Sequence, residues 1–143
     1  MNTSSKRKPY NLTLRAVIFD NQKRFLLMRR SKNVASQTGC WELPGGKMDS
    51  GETIDKALKR EILEETGFHV ELVKVLGTAE WEKSEIRIAY LFFLADIVSG
   101  EFCISPEHDD YRWVPHDEDL KKIEISPQLR SFIYQLQESQ EGK

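Results

Sequence analysis

Apolar residues recur along this chain with two different periods. From Leu12 to Phe19 and from Phe25 to Met28 they are dense, rich in β-branched and aromatic types, and separated by the polar run Asp20-Asn21-Gln22-Lys23. That arrangement predicts a hairpin of two strands, with Arg29 and Arg30 at its far end. Residues 31–39 are polar and end in Gly39, which predicts a loop before Trp41-Glu42-Leu43, and Pro44-Gly45-Gly46 then punctuates the chain. Further strands are expected over Val70–Leu76, Ile86–Val98 and Tyr111–Val114. The middle one is continuously apolar around Tyr90-Leu91-Phe92-Phe93-Leu94, as a strand covered on both faces should be. Residues 80–85 read as a polar connection or the strand ends beside it, and Pro115 to Leu120 as a turn of helix.

The second period is helical. Ser126 followed by Pro127 supplies a cap and a first helical residue, and Leu129, Phe132, Ile133 and Leu136 then form a stripe that packs on a sheet. Thr53 to Glu65 predicts another helix, stopped by Gly67 just past its last turn. On a wheel at about 100° per residue, Ile54, Ala57, Leu58 and Ile62 share one side. Glu61, Glu64 and Glu65 fall largely on that same side, so a stripe that begins apolar ends acidic.

A helix that merely covered a sheet would turn its charges outward. Clustered carboxylates repel one another, and the helix dipole disfavours them near a C-terminus. Partial burial raises their pKa values or calls for a compensating cation. A divalent metal is one such cation, since Mg²⁺ prefers hard oxygen ligands. Gly45 and Gly46 allow the backbone to turn a carbonyl toward it, and Pro44 stiffens the entry to that turn by restricting Leu43. Glu52 either favours the free N–H groups of the first turn or folds back to hold Arg60. Set against this is the plainer alternative of a solvated acidic helix end, which the spacing of the whole segment argues against.

Composition adds bounds. The chain has 143 residues and a formal net charge of −2, from 21 basic and 23 acidic residues. One domain is expected over residues 9–138, with a flexible start at 1–8 and a flexible end at 139–143. The near balance of charge gives no reason to expect a nucleic acid partner, and Lys6-Arg7-Lys8 reads as a solvated tail. Cys40 and Cys103 lack metal-ligand spacing and a secretory context, so reduced thiols and a cytoplasmic location are expected. No stretch reaches the roughly 18 apolar residues of a membrane span. Monomer and homodimer both stay open.

Gly46, Glu52, Arg60-Glu61-Ile62, Glu64-Glu65 and Gly67 stand at the spacing of the Nudix box, and the segment resembles the MutT-like Nudix hydrolases. Phe68, at the last hydrophobic place, departs mildly from the usual aliphatic residue. Trp41-Glu42-Leu43-Pro44-Gly45 also resembles the MutT-like approach to the box. The resemblance implies an α/β fold, an α/β/α sandwich with a mixed sheet between helices. It implies Mg²⁺-dependent hydrolysis (Mn²⁺ as a substitute) of a nucleoside diphosphate linked to another group. It makes Glu61, Glu64, Glu65 and a carbonyl of Gly45 or Gly46 metal ligands, with Glu107 a further carboxylate from a later loop. Arg60 is then a residue that orients a catalytic glutamate, Glu52 and Gly67 are structural, and Glu64 or Glu107 accepts the proton of the attacking water.

His108 and His116 are alternative bases, and His69 reads as surface. Arg29 and Arg30 are candidate substrate contacts, and Trp81, Phe93 and Trp113 are candidates for stacking on a base. The residues after the box lack the signatures of the ADP-ribose, dinucleoside polyphosphate and NADH branches. The expectation is therefore a nucleoside triphosphate pyrophosphohydrolase that releases monophosphate and diphosphate. An ADP-ribose or other nucleotide-sugar pyrophosphatase is the rival within the fold. A non-catalytic nucleotide-binding or interaction module is the rival outside it.

Overall fold

A computed structural model describes residues 9–31, 39–82 and 85–141. The expected flexible start and most of the loop at 31–39 lie outside them, as do residues 142–143 of the expected flexible end. The elements are β1 (Tyr10–Ile18), β2 (Arg24–Arg30), β3 (Trp41–Glu42), β4 (Gly45–Lys47), α1 (Ile54–Thr66), β5 (Phe68–Glu82), β6 (Arg87–Gly100), β7 (His108–Pro115) and α2 (Pro127–Glu141). A short 3₁₀ turn at Leu120–Lys122 stands where the pattern predicted a helical turn slightly earlier.

The strands form two sheets. One is mixed, in the order β4-β1-β6-β5, with β1 and β6 parallel and the outer pairs antiparallel. The other is antiparallel, in the order β3-β2-β7. β1 and β2 are therefore not the two arms of a hairpin. They touch through a single bridge, Phe19 with Phe25, beside the turn in which Asp20 accepts the N–H groups of Gln22 and Arg24 at 2.9 Å each. Past that bridge they diverge into different sheets, where each takes two other strands as neighbours. The apolar strand around residues 90–94 does lie inside its sheet, between β1 and β5.

Alternation along β1 and β6 divides the core in two. Leu14, Ala16 and Ile18 from β1, with Phe93 and Ala95 from β6, face Ala57, Leu58 and Ile62 of α1. The fully buried Leu58 and Ile62 contribute about 1.5–3 kcal/mol each to holding the helix there. On the opposite face Val17, Tyr90 and Phe92 meet Leu27 and Val114 of the second sheet and Leu129 and Phe132 of α2. Phe92 and Phe132 stack with ring centroids 4.1 Å apart. The mixed sheet thus lies between α1 and α2. Among the described residues no helix is long and apolar enough to cross a membrane.

Candidate active site

Helix α1 begins at Thr53, whose side chain accepts the N–H of Lys56, and ends at Gly67, whose φ of 80° is open to glycine at little cost. Between these caps the acidic residues separate by face. Glu65 lies on the buried side with Leu58 and Ile62 and is 4 % exposed. Glu61 sits at its edge, half-buried, and the Glu64 side chain is 60 % exposed. Ile54, expected in the apolar stripe, is exposed at the helix start.

Glu61 and Glu65 both reach the Pro44-Gly45-Gly46 turn. The Glu65 carboxylate accepts the N–H of Gly45 at 3.2 Å. The Glu61 carboxylate lies against Gly46 so closely that a Cβ there would stand 2.5 Å from it. Burial raises the pKa of Glu61 and pushes that of Glu65 well above the ordinary glutamate range. Two arginines offset these charges. Arg60 forks onto Glu52, with Nε to Oε2 at 2.7 Å and Nη2 to Oε1 at 2.8 Å, and its Nη1 lies 3.2 Å from Glu61 and 3.3 Å from Glu64. Of the two positions open to Glu52, the structure holds the one folded back on Arg60.

Arg15 is the second arginine, and the apolar pattern of β1 hid it. Its Nη1 donates to the carbonyl of Gly45 at 2.9 Å, and its Nη2 lies 3.4 Å from Oε2 of Glu42. Glu42, 1 % exposed, also pairs with Nη1 of Arg30 at 3.2 Å. The signal that could have revealed the pair is a lone charge within an apolar strand, matched by a lone acid in Trp41-Glu42-Leu43. His108 is buried, with Nδ1 3.3 Å from the Ser105 hydroxyl, and burial lowers its pKa. Nε2 of His108, Nε of Arg15 and Oε2 of Glu42 are buried without a hydrogen-bond partner among the described residues.

The other expected residues lie as follows. Glu107 is exposed, its carbonyl accepts the N–H of Ser31, and its charge is near enough to raise the pKa of Glu61. Arg29 pairs with Asp109 at 2.7 Å and lies 5.7 Å over the Trp41 ring. His69 and His116 are exposed, and Phe93 belongs to the core under α1. Trp81 is exposed near the end of β5. Trp113 packs beside Phe68 and lines a cleft of about 760 Å³ with Phe19, Phe102 and Asp96, which the acidic residues of α1 do not line.

Hard oxygens on a glycine turn suit a divalent cation better than a soft one, and the close approach of the Glu61 carboxylate to Gly46, which a Cβ there would prevent, fits that use. The fit is one of donors, not of a closed cage. Among the described residues no three His, Cys, Asp or Glu side chains stand close enough together to hold an ion.

The sequence matches the NUDIX domain over residues 9–136. The chain belongs to the Nudix family. Its relatives include a nucleoside triphosphatase, NudI, of Salmonella newport, 32 % identical over 117 residues that span 74 % of this chain and 83 % of the relative. Among solved structures it is similar to a MutT protein from Methanosarcina mazei Go1, with a TM-score of 0.84 and 30 % identity over 94 % of this chain and 97 % of that one. A MutT Nudix hydrolase from Burkholderia pseudomallei gives 0.77 and 28 %, over 90 % and 98 %. As a MutT-like Nudix protein the chain is a hydrolase of a nucleotide substrate, and the Pro44-Gly45-Gly46 turn against α1 is where its box residues meet.

Proposed function

We propose that this Nudix protein is a divalent-metal-dependent nucleoside triphosphate pyrophosphohydrolase, converting a nucleoside triphosphate and water to the monophosphate and diphosphate. The observation that carries the reading is the meeting of Glu61 and Glu65 with the Gly45-Gly46 turn at the end of α1. The nucleoside triphosphatase name of the Salmonella relative supports the substrate class.

The carboxylates of Glu61, Glu64 and Glu65, the carbonyl of Gly45 or Gly46, and Glu107 from the loop before β7 would hold Mg²⁺ or Mn²⁺. When bound, such an ion acidifies water and neutralises charge on the diphosphate oxygens. The protein supplies the rest. Arg60, fixed by its fork to Glu52, orients Glu61 and Glu64 from the outer side of the helix. A carboxylate oxygen of Glu64 or of Glu107 takes the proton from the attacking water, both being solvent-accessible beside the half-buried Glu61. Arg29 and Arg30 at the end of β2 are the candidates for contact with the nucleotide.

The test is a panel of nucleoside triphosphates and sugar nucleotides under Mg²⁺ with product analysis, run on wild type, Glu64→Gln and Glu107→Gln. Triphosphates should yield monophosphate plus diphosphate. Glu64→Gln should lose about 10²–10⁴-fold in turnover if Glu64 is the base, with the circular dichroism spectrum unchanged, and Glu107→Gln should do so if Glu107 is. Two phosphate monoesters from a sugar nucleotide, with triphosphates inert, would replace the substrate assignment. Turnover unchanged in both variants would end the assignment of the base.

A further inference from the structure

Strand β1 carries one charged side chain into the body of the fold, and it arrives at the Gly45 peptide. Arg15 stands opposite Gly45 in the register of β1 with β4. Its Nη1 donates to the Gly45 carbonyl at 2.9 Å and, at longer range, to the carbonyl of Leu43 at 3.4 Å. The N–H of the same glycine donates to Glu65. Gly45 is therefore gripped at both polar groups, by a buried carboxylate on one side and a buried guanidinium on the other. The φ of 141° at Gly45, and the 2.0 Å that would separate a Cβ from the carbonyl oxygen of Leu14, restrict this position to glycine.

The carboxylate in this grip is one of the oxygens assigned above to a divalent cation, and the carbonyl is one of the two, of Gly45 or of Gly46, offered for it. A guanidinium cannot relieve a neighbouring cation by losing its proton, since it stays charged at any physiological pH. A carbonyl oxygen has two lone pairs, so a hydrogen bond from Arg15 does not bar a metal sterically. The conflict is electrostatic, and burial makes it stronger than it would be at the surface. We propose that Arg15 is a positioning residue that sets the divalent-ion affinity of the site. It shares the Gly45 carbonyl and offsets the charge of Glu65, so tight uptake of the ion waits for the negative charge that the nucleotide phosphates bring. A role confined to neutralising Glu42 is the simpler alternative, but Glu42 already has Arg30 at 3.2 Å. The proposal rests on the reading of Gly45 and Glu65 as metal ligands.

Mn²⁺ binding to the full chain, followed by loss of the free-ion paramagnetic resonance signal at mildly alkaline pH, tests it. Wild type, Arg15→Met, Arg15→Lys and Glu65→Gln are compared with and without an α,β-methylene nucleoside triphosphate. Without nucleotide, Arg15→Met should bind Mn²⁺ at least about tenfold more tightly than wild type, while Arg15→Lys, which keeps the charge, should stay close to wild type. With the analogue present the gap should close. If Arg15→Met folds poorly, the rise in its melting temperature on adding Mn²⁺ should still exceed that of wild type and of Arg15→Lys. Equal or weaker binding by Arg15→Met, while Glu65→Gln loses the ion, overturns the role of Arg15 alone. Unchanged binding in Glu65→Gln, or no uptake by any of the proteins, overturns the metal reading and this proposal with it.

Discussion

Glu52 and Glu65 both belong to the box, yet folding moves their pKa values in opposite directions. Arg60 holds Glu52 below the ordinary value of 4.5, whereas burial lifts Glu65 well above it. The consequences for stability have opposite signs. A lowered carboxylate contributes stability above its unfolded pKa and loses it as the pH falls. A raised one favours the fold while protonated, and that contribution disappears as the pH rises through the raised value. Replacing Glu65 by glutamine removes the ionisation and leaves an oxygen to accept the Gly45 N–H. In a chelator-containing buffer, Glu65→Gln should therefore melt close to wild type near pH 4.5 and increasingly above it toward neutrality. A melting difference that does not change with pH, or a wild type that is the more stable at neutral pH, would contradict the burial account of Glu65. The mixed face of α1 was legible from the wheel, but the side taken by each carboxylate was not. Periodicity gives an angle about the axis, while Glu64 turns out to Arg60, itself held by Glu52, and Glu65 turns in to Gly45, a partner 20 residues away.

At the scale of elements, α1 and its C-terminal stop were legible because every signal for them is local. Thr53 caps the start, apolar positions repeat along the helix, and Gly67 ends it. The stop also anchors the next part of the site. The carbonyls of Glu65 and Thr66 accept the N–H groups of Ser105 and Cys103, which ties the last turn to the segment leading to Glu107 and His108. At Gly67 a Cβ would stand 2.3 Å from the carbonyl oxygen of Glu101, a contact that backbone cannot easily relieve. Gly67→Ala should cost about 1–3 kcal/mol from the left-handed backbone, with the clash adding to it, measured by equilibrium urea unfolding. A loss of only a few tenths would mean that the turn adapts. The pairing of β1 with β2 was misread for the reason that α1 was read well. A polar turn between two apolar runs is local evidence, whereas the choice of β6 and β4 for β1, and of β7 and β3 for β2, is made by residues far along the chain. Arg15 was missed for a related reason, since its partners Gly45 and Glu42 come into view only once β4 is laid beside β1.

For the whole molecule, the core falls into two layers on opposite faces of the mixed sheet. The apolar face of α1 sits on one side of the mixed sheet. Phe132 of α2 sits on the other, stacked on Phe92 in the core shared with the second sheet. The glycine turn lies at the β4 edge, where Gly45 joins Arg15 and Glu65, and Leu43 just before it belongs to the buried cluster of Phe132. Truncating Phe132 should weaken the molecule without reshaping the turn. Phe132→Ala is expected to lower unfolding free energy by about 3–5 kcal/mol, as the loss of a buried ring does. In conditions where the variant is still fully folded, its Mn²⁺ affinity should stay within about threefold of wild type, because the hydrogen bonds that hold Gly45 are to Arg15 and Glu65 and coupling through the packing of Leu43 is small. Urea titration and Mn²⁺ titration on the same preparation measure both quantities. A large fall in metal affinity at full folding would show that the sheet transmits the packing of α2 to its β4 edge, and the two layers would then have to be treated as one cooperative body.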